Sequence, residues 1–310
     1  MSSQTQTTAR GFTIGICASD FAKRLPSLVS FLLEEDYGPD FTLRRMAIVA
    51  SRCPESVLIP VKQEAESDPR ITLVTEPDRR GKAEAINRII ENSLGRYLVM
   101  LNADAFPTKG SIRGLLEVAS SPGVGAVSAK PVFDEGNGLL GHALALMWSA
   151  HSLMSLRLNH AGMSNHACDE LIVVRRNMMS RLPANLVNDG AYIGGLVRAQ
   201  GLKVKFSTAA EVRISVPKQP MDLIRQRRRI TFGHVQVWKK LGRPPRTIES
   251  MLFTNPLMSL RTIIGILTER PRLILAIPLV LVSESAAILM GILDANRSTD
   301  QHTIWRRNAD

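Results

Sequence analysis

Two short segments carry carboxylates where they could do chemistry. Tyr97-Leu-Val-Met-Leu-Asn-Ala-Asp-Ala-Phe-Pro107 is an apolar run that ends in Asn102 and Asp104. Residues two apart on extended chain point the same way, so this amide and carboxylate can meet one hard cation. Such a cation takes oxygen ligands and also grips a diphosphate. Spacing alone leaves a polar turn that closes a strand equally open. Val187-Asn-Asp-Gly-Ala-Tyr-Ile193 places Asp189 at a helix start. An aspartate there usually caps the helix; its functional reading is a general base that takes a proton from an acceptor hydroxyl.

Two basic segments could meet an anion. Arg79-Arg80-Gly81-Lys82-Ala83-Glu84-Ala85-Ile86-Asn87 sets cations and a glycine at a helix start, where free N–H groups and the helix dipole favour negative charge. The spaced glycines and Lys-Ser/Thr pair of a P-loop are absent, and an ordinary solvated helix start fits as well. Gln226-Arg-Arg-Arg-Ile230 belongs to a longer basic stretch and reads first as a charged helix face.

The elements that must position these residues follow from the apolar pattern. Strands are expected at Phe12–Cys17, Met46–Ala50, Ile71–Val74, Tyr97–Leu101 and Gly123–Ala129. Leu25, Leu28, Val29, Leu32 and Leu33 share one helical face, as do Ala85, Ile86, Ile89 and Ile90. This βαβα rhythm with nearly continuous apolar strands predicts an α/β fold, a mostly parallel sheet covered by helices on both faces. Open sheets of that kind bind ligands at the carboxyl ends of their strands, where Asn102 and Asp104 would fall. After about Pro131 the rhythm changes to a long helix over Leu144–Leu158, a β run at Leu171–Val174, a helix at Asp189–Ala199 and a strand at Val204–Phe206.

In this order and at these distances the four segments resemble family 2 of the nucleotide-sugar glycosyltransferases, inverting enzymes of the GT-A (Rossmann-like) fold. Cys17-Ala-Ser-Asp20 stands where the family's first strand ends, and Ser51-Arg-Cys-Pro-Glu55 replaces its acidic second loop. Gly81, Lys82 and Asn87 match the Gly-Lys-Ala…Asn segment. Asn102-Ala-Asp104 stands for the DxD motif, Asn188-Asp189 for the Glu-Asp motif, and Gln226 and Arg229 for the Gln-x-x-Arg-Trp motif, with Ile230 in place of tryptophan. The resemblance implies a nucleoside-diphosphate-sugar donor contacted by Asp20, Lys82, Asn87, Asn102 and Asp104, with Asp104 holding Mg²⁺ or Mn²⁺. It implies Asp189 as the catalytic base, and Asn188, Gln226 and Arg229 beside the acceptor or diphosphate. A catalytically dead relative acting as a membrane scaffold is a second reading, motivated by the altered donor loops.

The balance of 39 Lys+Arg against 28 Asp+Glu gives a net charge of +11, which calls for an anionic partner. Aromatics are only 5%, and the basic cluster adjoins apolar runs, not a groove-reading motif, so a nucleic-acid partner is not expected. Basic and apolar residues interleaved over 216–250 predict an interfacial segment on an anionic membrane surface. In the apolar region 251–310, Leu273–Leu293 has about the length that spans a bilayer, roughly 20 residues. Glu284 near its middle would cost roughly 2.5–3.5 kcal/mol there. Arginines and lysines precede this stretch, which orients the 11–215 catalytic domain to the cytoplasm, with a lipid-phosphate or saccharide acceptor. Residues 1–10 are polar and expected to be disordered. Cys17, Cys53 and Cys168 form no CxxC pair, so neither a zinc site nor a disulfide framework is expected.

Overall fold

The computed structural model describes residues 9–20, 22–298 and 302–304. The expected disorder over 1–10 lies outside the described residues for 1–8, and Arg10 already begins a strand. Eight strands form one sheet: β1 (Arg10–Ser19), β2 (Phe41–Ser51), β3 (Ile71–Glu76), β4 (Tyr97–Asn102), β5 (Phe106–Pro107), β6 (Val124–Val132), β7 (Leu171–Arg175) and β8 (Lys203–Arg213). Their order is β3-β2-β1-β4-β7-β6-β8-β5. The first four run parallel. β7 then inserts antiparallel between β4 and β6, β8 runs parallel to β6, and β5 pairs antiparallel with β8. The mixed, mostly parallel sheet is the one the sequence rhythm predicts.

Strand alternation divides the core into two layers. Phe12, Ile14 and Ile16 of β1 and Val99 and Leu101 of β4 face one side. Helices α1 (Leu25–Glu34), α2 (Glu55–Ser67) and α4 (Ser111–Ala119) cover it with Leu28, Val61 and Leu115. Leu98 and Met100 of β4 and Ile172 and Val174 of β7 face the other side. There α3 (Lys82–Glu91) and α6 (Asp189–Ala199) supply Ile86, Ile89, Ile193 and Val197. Burying each such side chain contributes about 1.5–3 kcal/mol, so the sheet fixes the helix starts that carry Lys82 and Asp189.

The remaining helices are α5 (Leu139–His160), α7 (Pro220–Leu241), α8 (Ile248–Thr254), α9 (Pro256–Glu269) and α10 (Ile277–Arg297), the last preceded by a 3-10 turn over Pro271–Ala276. α7 falls within the segment 216–250 that the sequence reads as interfacial. Two of its arginines face protein while Arg225, Lys239 and Lys240 stay exposed: Arg227 bridges Glu249 and Glu284, with Nε 2.6 Å from Glu284 Oε1. Arg228 holds Asp294 through two bonds of 2.6 and 2.7 Å. Glu284 is thus paired with Arg227 within the protein and does not stand alone in an apolar stretch.

α10 meets α7 through a stripe of buried Ser283, Ala287, Gly291 and Asp294. A Cβ on Gly291 would lie 2.7 Å from the Arg228 carbonyl oxygen and 2.8 Å from Thr231 Cβ. Both neighbours belong to a packed helix, so Gly291→Leu is expected to cost about 1–3 kcal/mol through overpacking. A melting temperature within a degree of wild type would show that the helices do not pack this way. The opposite face of α10 leaves Leu281, Val282 and Leu289 more than 60% exposed. Leu139–His160 and Pro271–Arg297 are long and apolar enough to cross a membrane, by length and composition.

Candidate functional site

A cavity of about 630 Å³ opens at the carboxyl ends of β1, β2 and β4, where Cys17, Ser19, Ser51 and Asn102 line it. Its far wall is α7, which contributes Gln226, Arg229 and Ile230, and Thr303 reaches it from the C-terminal segment. Arg229 donates from Nε to the His302 carbonyl at 3.2 Å, and His302 Nε2 lies 2.8 Å from Asp294. That chain of contacts fastens the C-terminal segment beside the cavity. Gly81 has φ of +99°, which admits the sharp entry into α3 at the cavity edge.

The expected site residues divide into those that line this cavity and those that do not. Lys82, Asn102, Asp104, Asn188, Gln226 and Arg229 line it. Asp20 does not line it but lies 3.3 Å from Arg79, which does. Asn188 is the N-cap of α6, accepting from the Ala191 N–H at 2.9 Å. The cap therefore belongs to Asn188 and not to Asp189, whose carboxylate is left for another partner. Asp189 is 3% exposed, and its Oδ2 sits 3.1 Å from Lys82 Nζ. Asn87 is 1% exposed and turned away from the cavity: its amide donates to Leu182 O at 3.0 Å and accepts from Leu182 N at 2.7 Å. It clamps the loop after β7 onto α3 instead of meeting a ligand.

Two residues not singled out in the sequence complete the floor, Asp169 and Glu170. β7 runs antiparallel to β4 with Leu171 opposite Leu101, so its start lies beside the end of β4. Asn102 Nδ2 accordingly donates to Glu170 Oε2 at 3.2 Å, and Lys82 Nζ donates to Asp169 Oδ2 at 2.5 Å. Lys82 therefore bridges two aspartates. The sequence signal was an adjacent acid pair at the start of an apolar β run; its meaning depends on strand direction, which composition does not reveal.

The electrostatics of the four acids differ. Burial pushes the Asp189 carboxyl up to about 6, against the pull of Lys82. Burial acts on Asp169 in the same sense, but Lys82 outweighs it and takes that carboxyl down to about 2. Lys82 itself would be lowered by burial, yet the two aspartates hold it above its ordinary value. Burial, then Asp169 and Asp104, push Glu170 up to about 8.

No cluster of three His, Cys, Asp or Glu side chains of metal-binding geometry occurs among the described residues. A self-contained metal cage is thus not built from these side chains. The donor chemistry nevertheless fits a hard cation shared with a ligand: Asp104 and Asn102 offer oxygens at one cavity edge. The carboxyl of Glu170 is raised first by burial and then by repulsion from Asp169 and Asp104, and a cation would relieve the repulsion.

The description "Glycosyl transferase family 2" matches residues 23–181, half of the chain, and takes in β2 to β7 with Lys82, Asp104, Asp169 and Glu170. The chain belongs to that family. Solved structures share the fold across more of its length. The mannosyltransferase from Pyrobaculum calidifontis, solved with GDP-mannose and Mn²⁺, superposes with a TM-score of 0.64 at 18% identity, covering 93% of this chain and 87% of its own. Glucosyl-3-phosphoglycerate synthase from Mycobacterium tuberculosis, solved with Mn²⁺, UDP and glucosyl-3-phosphoglycerate, gives 0.50 at 16% identity, covering 76% and 82%. No curated protein matches the chain by sequence. The glycosyltransferase thus has the GT-A fold that its motifs led one to expect.

Proposed function

We propose that this glycosyltransferase transfers a sugar, with inversion, from a nucleoside-diphosphate-sugar to an acceptor hydroxyl presented at the cytoplasmic face of a membrane. The observation that carries the reading is one cavity lined by both Asp104 and Lys82, whose ammonium lies 3.1 Å from the buried Asp189 just behind the wall. The structural relatives hold GDP-mannose or UDP with Mn²⁺, which supports a donor of this class and a divalent cation. When bound, Mg²⁺ or Mn²⁺ would neutralise charge on the diphosphate leaving group, and Asp104 with Asn102 would hold it.

The chain's own residues do the rest. Asp189, deprotonated and buried, takes the proton of the acceptor hydroxyl, so that the oxygen attacks the anomeric carbon as the bond to the diphosphate breaks. Lys82 keeps Asp189 ionised at the cavity wall that Lys82 and Asn188 line, while Asp169 holds Lys82 in place. Arg229, at the cavity wall, adds positive charge for the diphosphate or for a phosphate on the acceptor. Asp169 and Glu170 offer acceptors for sugar hydroxyls, and Ser51 and Ser19 face the nucleotide end.

A base whose carboxyl lies near 6 gives a defined pH dependence. Turnover at saturating donor is expected to rise about tenfold per unit below pH 6 and to level off above it. The apparent value belongs to the Asp189–Lys82–Asp169 group as a whole. A profile flat from pH 4.5 to 7.5 would remove Asp189 from the role. The donor class is tested by thermal melting with UDP-, GDP- and dTDP-sugars in Mn²⁺. At least one is expected to raise the melting temperature by several degrees, as a ligand at 100 times its Kd adds about 2.7 kcal/mol. No shift with any of them would favour a scaffold that has lost its donor site. 

Membrane association is supported by the exposed apolar faces of α8, α9 and α10, including Phe253 at 87% exposure. An isolated hydrophobic residue on a surface is ordinary, whereas a contiguous apolar face marks an interaction site. A lipid-linked acceptor would then be held close to the cavity.

A further inference from the structure

A second cavity, of about 410 Å³, lies where the C-terminal end of α5 meets the start of α9. It shares no residue with the donor cavity. Arg157, His160 and Arg261 line it together with Asn255, Leu257 and Met258, and none of its lining residues is acidic. Arg157 Nε is buried with no hydrogen-bond partner, while its Nη2 makes a 3.4 Å contact with the Arg261 carbonyl. A buried guanidinium donor without a partner carries a desolvation cost that an oxyanion would remove. The cavity also meets the N-terminus of α9, whose dipole favours negative charge. Asn255 caps that terminus by accepting from the Met258 N–H at 3.2 Å.

What surrounds the cavity indicates the source of the anion. Leu257, Leu260 and Ile264 recur at i, i+3 and i+7 along α9 and are 56%, 58% and 54% exposed, so one outward face of the helix is apolar. Arg261 lies on the same face between them. Phe253, at the end of α8, extends the apolar surface. A cationic, acid-free cavity at the border of an exposed apolar face matches a lipid, with its phosphate in the cavity and its chains along Leu257 and Leu260. A soluble phosphate would satisfy the cations but leave the apolar face uncovered.

We propose that this cavity binds the phosphate of an anionic membrane lipid and so orients the glycosyltransferase on the bilayer. The proposal rests on the membrane-face reading above, and the test separates the two. Binding of the full chain to phosphatidylcholine vesicles is compared with binding to vesicles that also contain phosphatidylglycerol, for wild type and for Arg157→Gln/Arg261→Gln. Each basic residue at an anionic surface contributes about fivefold, so the double variant should bind phosphatidylglycerol vesicles roughly 30-fold more weakly. Its affinity for phosphatidylcholine should be unchanged. Arg261→Gln alone retains the carbonyl that Arg157 contacts and should lose about fivefold, which keeps the test usable should the double variant fold poorly. Wild type that ignores both vesicle types would refute the membrane reading itself. Binding to vesicles with the anionic preference intact in the variants would overturn only the site. Protection of wild type, but not the variants, by inorganic phosphate, without vesicle preference, would assign the cavity to a soluble anion and overturn the lipid assignment.

Discussion

Asp189→Asn is expected to lower transfer by about 10²–10⁴-fold, the contribution of a positioned general base, while nucleotide-sugar affinity stays within a few-fold of wild type. The amide keeps the size of the carboxylate at a buried position that is 3% exposed, so the fold survives, but it cannot accept the acceptor's proton. Asn188 continues to cap α6 through its own side chain, and the helix start does not depend on Asp189. Single-turnover transfer, together with donor binding measured by calorimetry, separates the two effects. A variant that retains wild-type turnover, or that loses donor binding in parallel with transfer, would show that Asp189 does not act as the base.

Lys82→Met is expected to damage both stability and catalysis. Lys82 lies 2.5 Å from Asp169 and 3.1 Å from Asp189, and its removal leaves two neighbouring carboxylates without their common cation. Stripping one partner from a buried pair costs about 3–5 kcal/mol. The expected loss here is nearer about 2–3 kcal/mol, because Asp169 keeps 34% of its side chain in contact with solvent. The pH sense follows from the pair. Asp169 has its carboxyl lowered to about 2 in the folded chain, so the stability it gains from Lys82 is present at neutral pH and fades as pH falls toward 2. The destabilisation of the variant, measured by urea unfolding, should therefore hold from pH 7 to about pH 5 and shrink as pH falls from 4 toward 2. The released Asp189 should also titrate higher than about 6, moving the acid limb of the activity profile upward. Equal destabilisation at pH 2 and pH 7 would show that Lys82 acts by packing and not by charge.

Much of this site could be read before the fold was known, and the omissions have physical causes. Apolar runs such as Tyr97–Leu101 and Leu171–Val174 announce strands whatever their direction, because each is buried on both faces of the sheet. Direction is a tertiary property. Only the antiparallel pairing of Leu101 with Leu171 turns Asp169 and Glu170 into neighbours of Asn102. α2 has Pro60 inside it and a largely polar sequence, so it gives no clear helical pattern, whereas Ile112, Leu115, Leu116 and Ala119 of α4 do recur at helical spacing within only nine residues. The basic run over 225–229 carries a surface pattern, yet Arg227 and Arg228 meet Glu249, Glu284 and Asp294 from segments 22 to 66 residues away. Long-range pairing of this kind leaves no local trace. Asn87 shows the converse: a residue in a ligand-binding motif holds the loop at Leu182 through two buried hydrogen bonds.

The central claim is that a metal-binding Asp104 and Lys82, which holds the proton-accepting Asp189, share one cavity around a sugar diphosphate. Its most direct test is sugar release from a panel of nucleoside-diphosphate-sugars by wild type and Asp104→Asn, with and without Mn²⁺. At least one donor should be consumed by wild type only when Mn²⁺ is present, and Asp104→Asn should lose that metal-stimulated rate. Consumption that is indifferent to both the metal and Asp104, or no consumption of any donor, would contradict it.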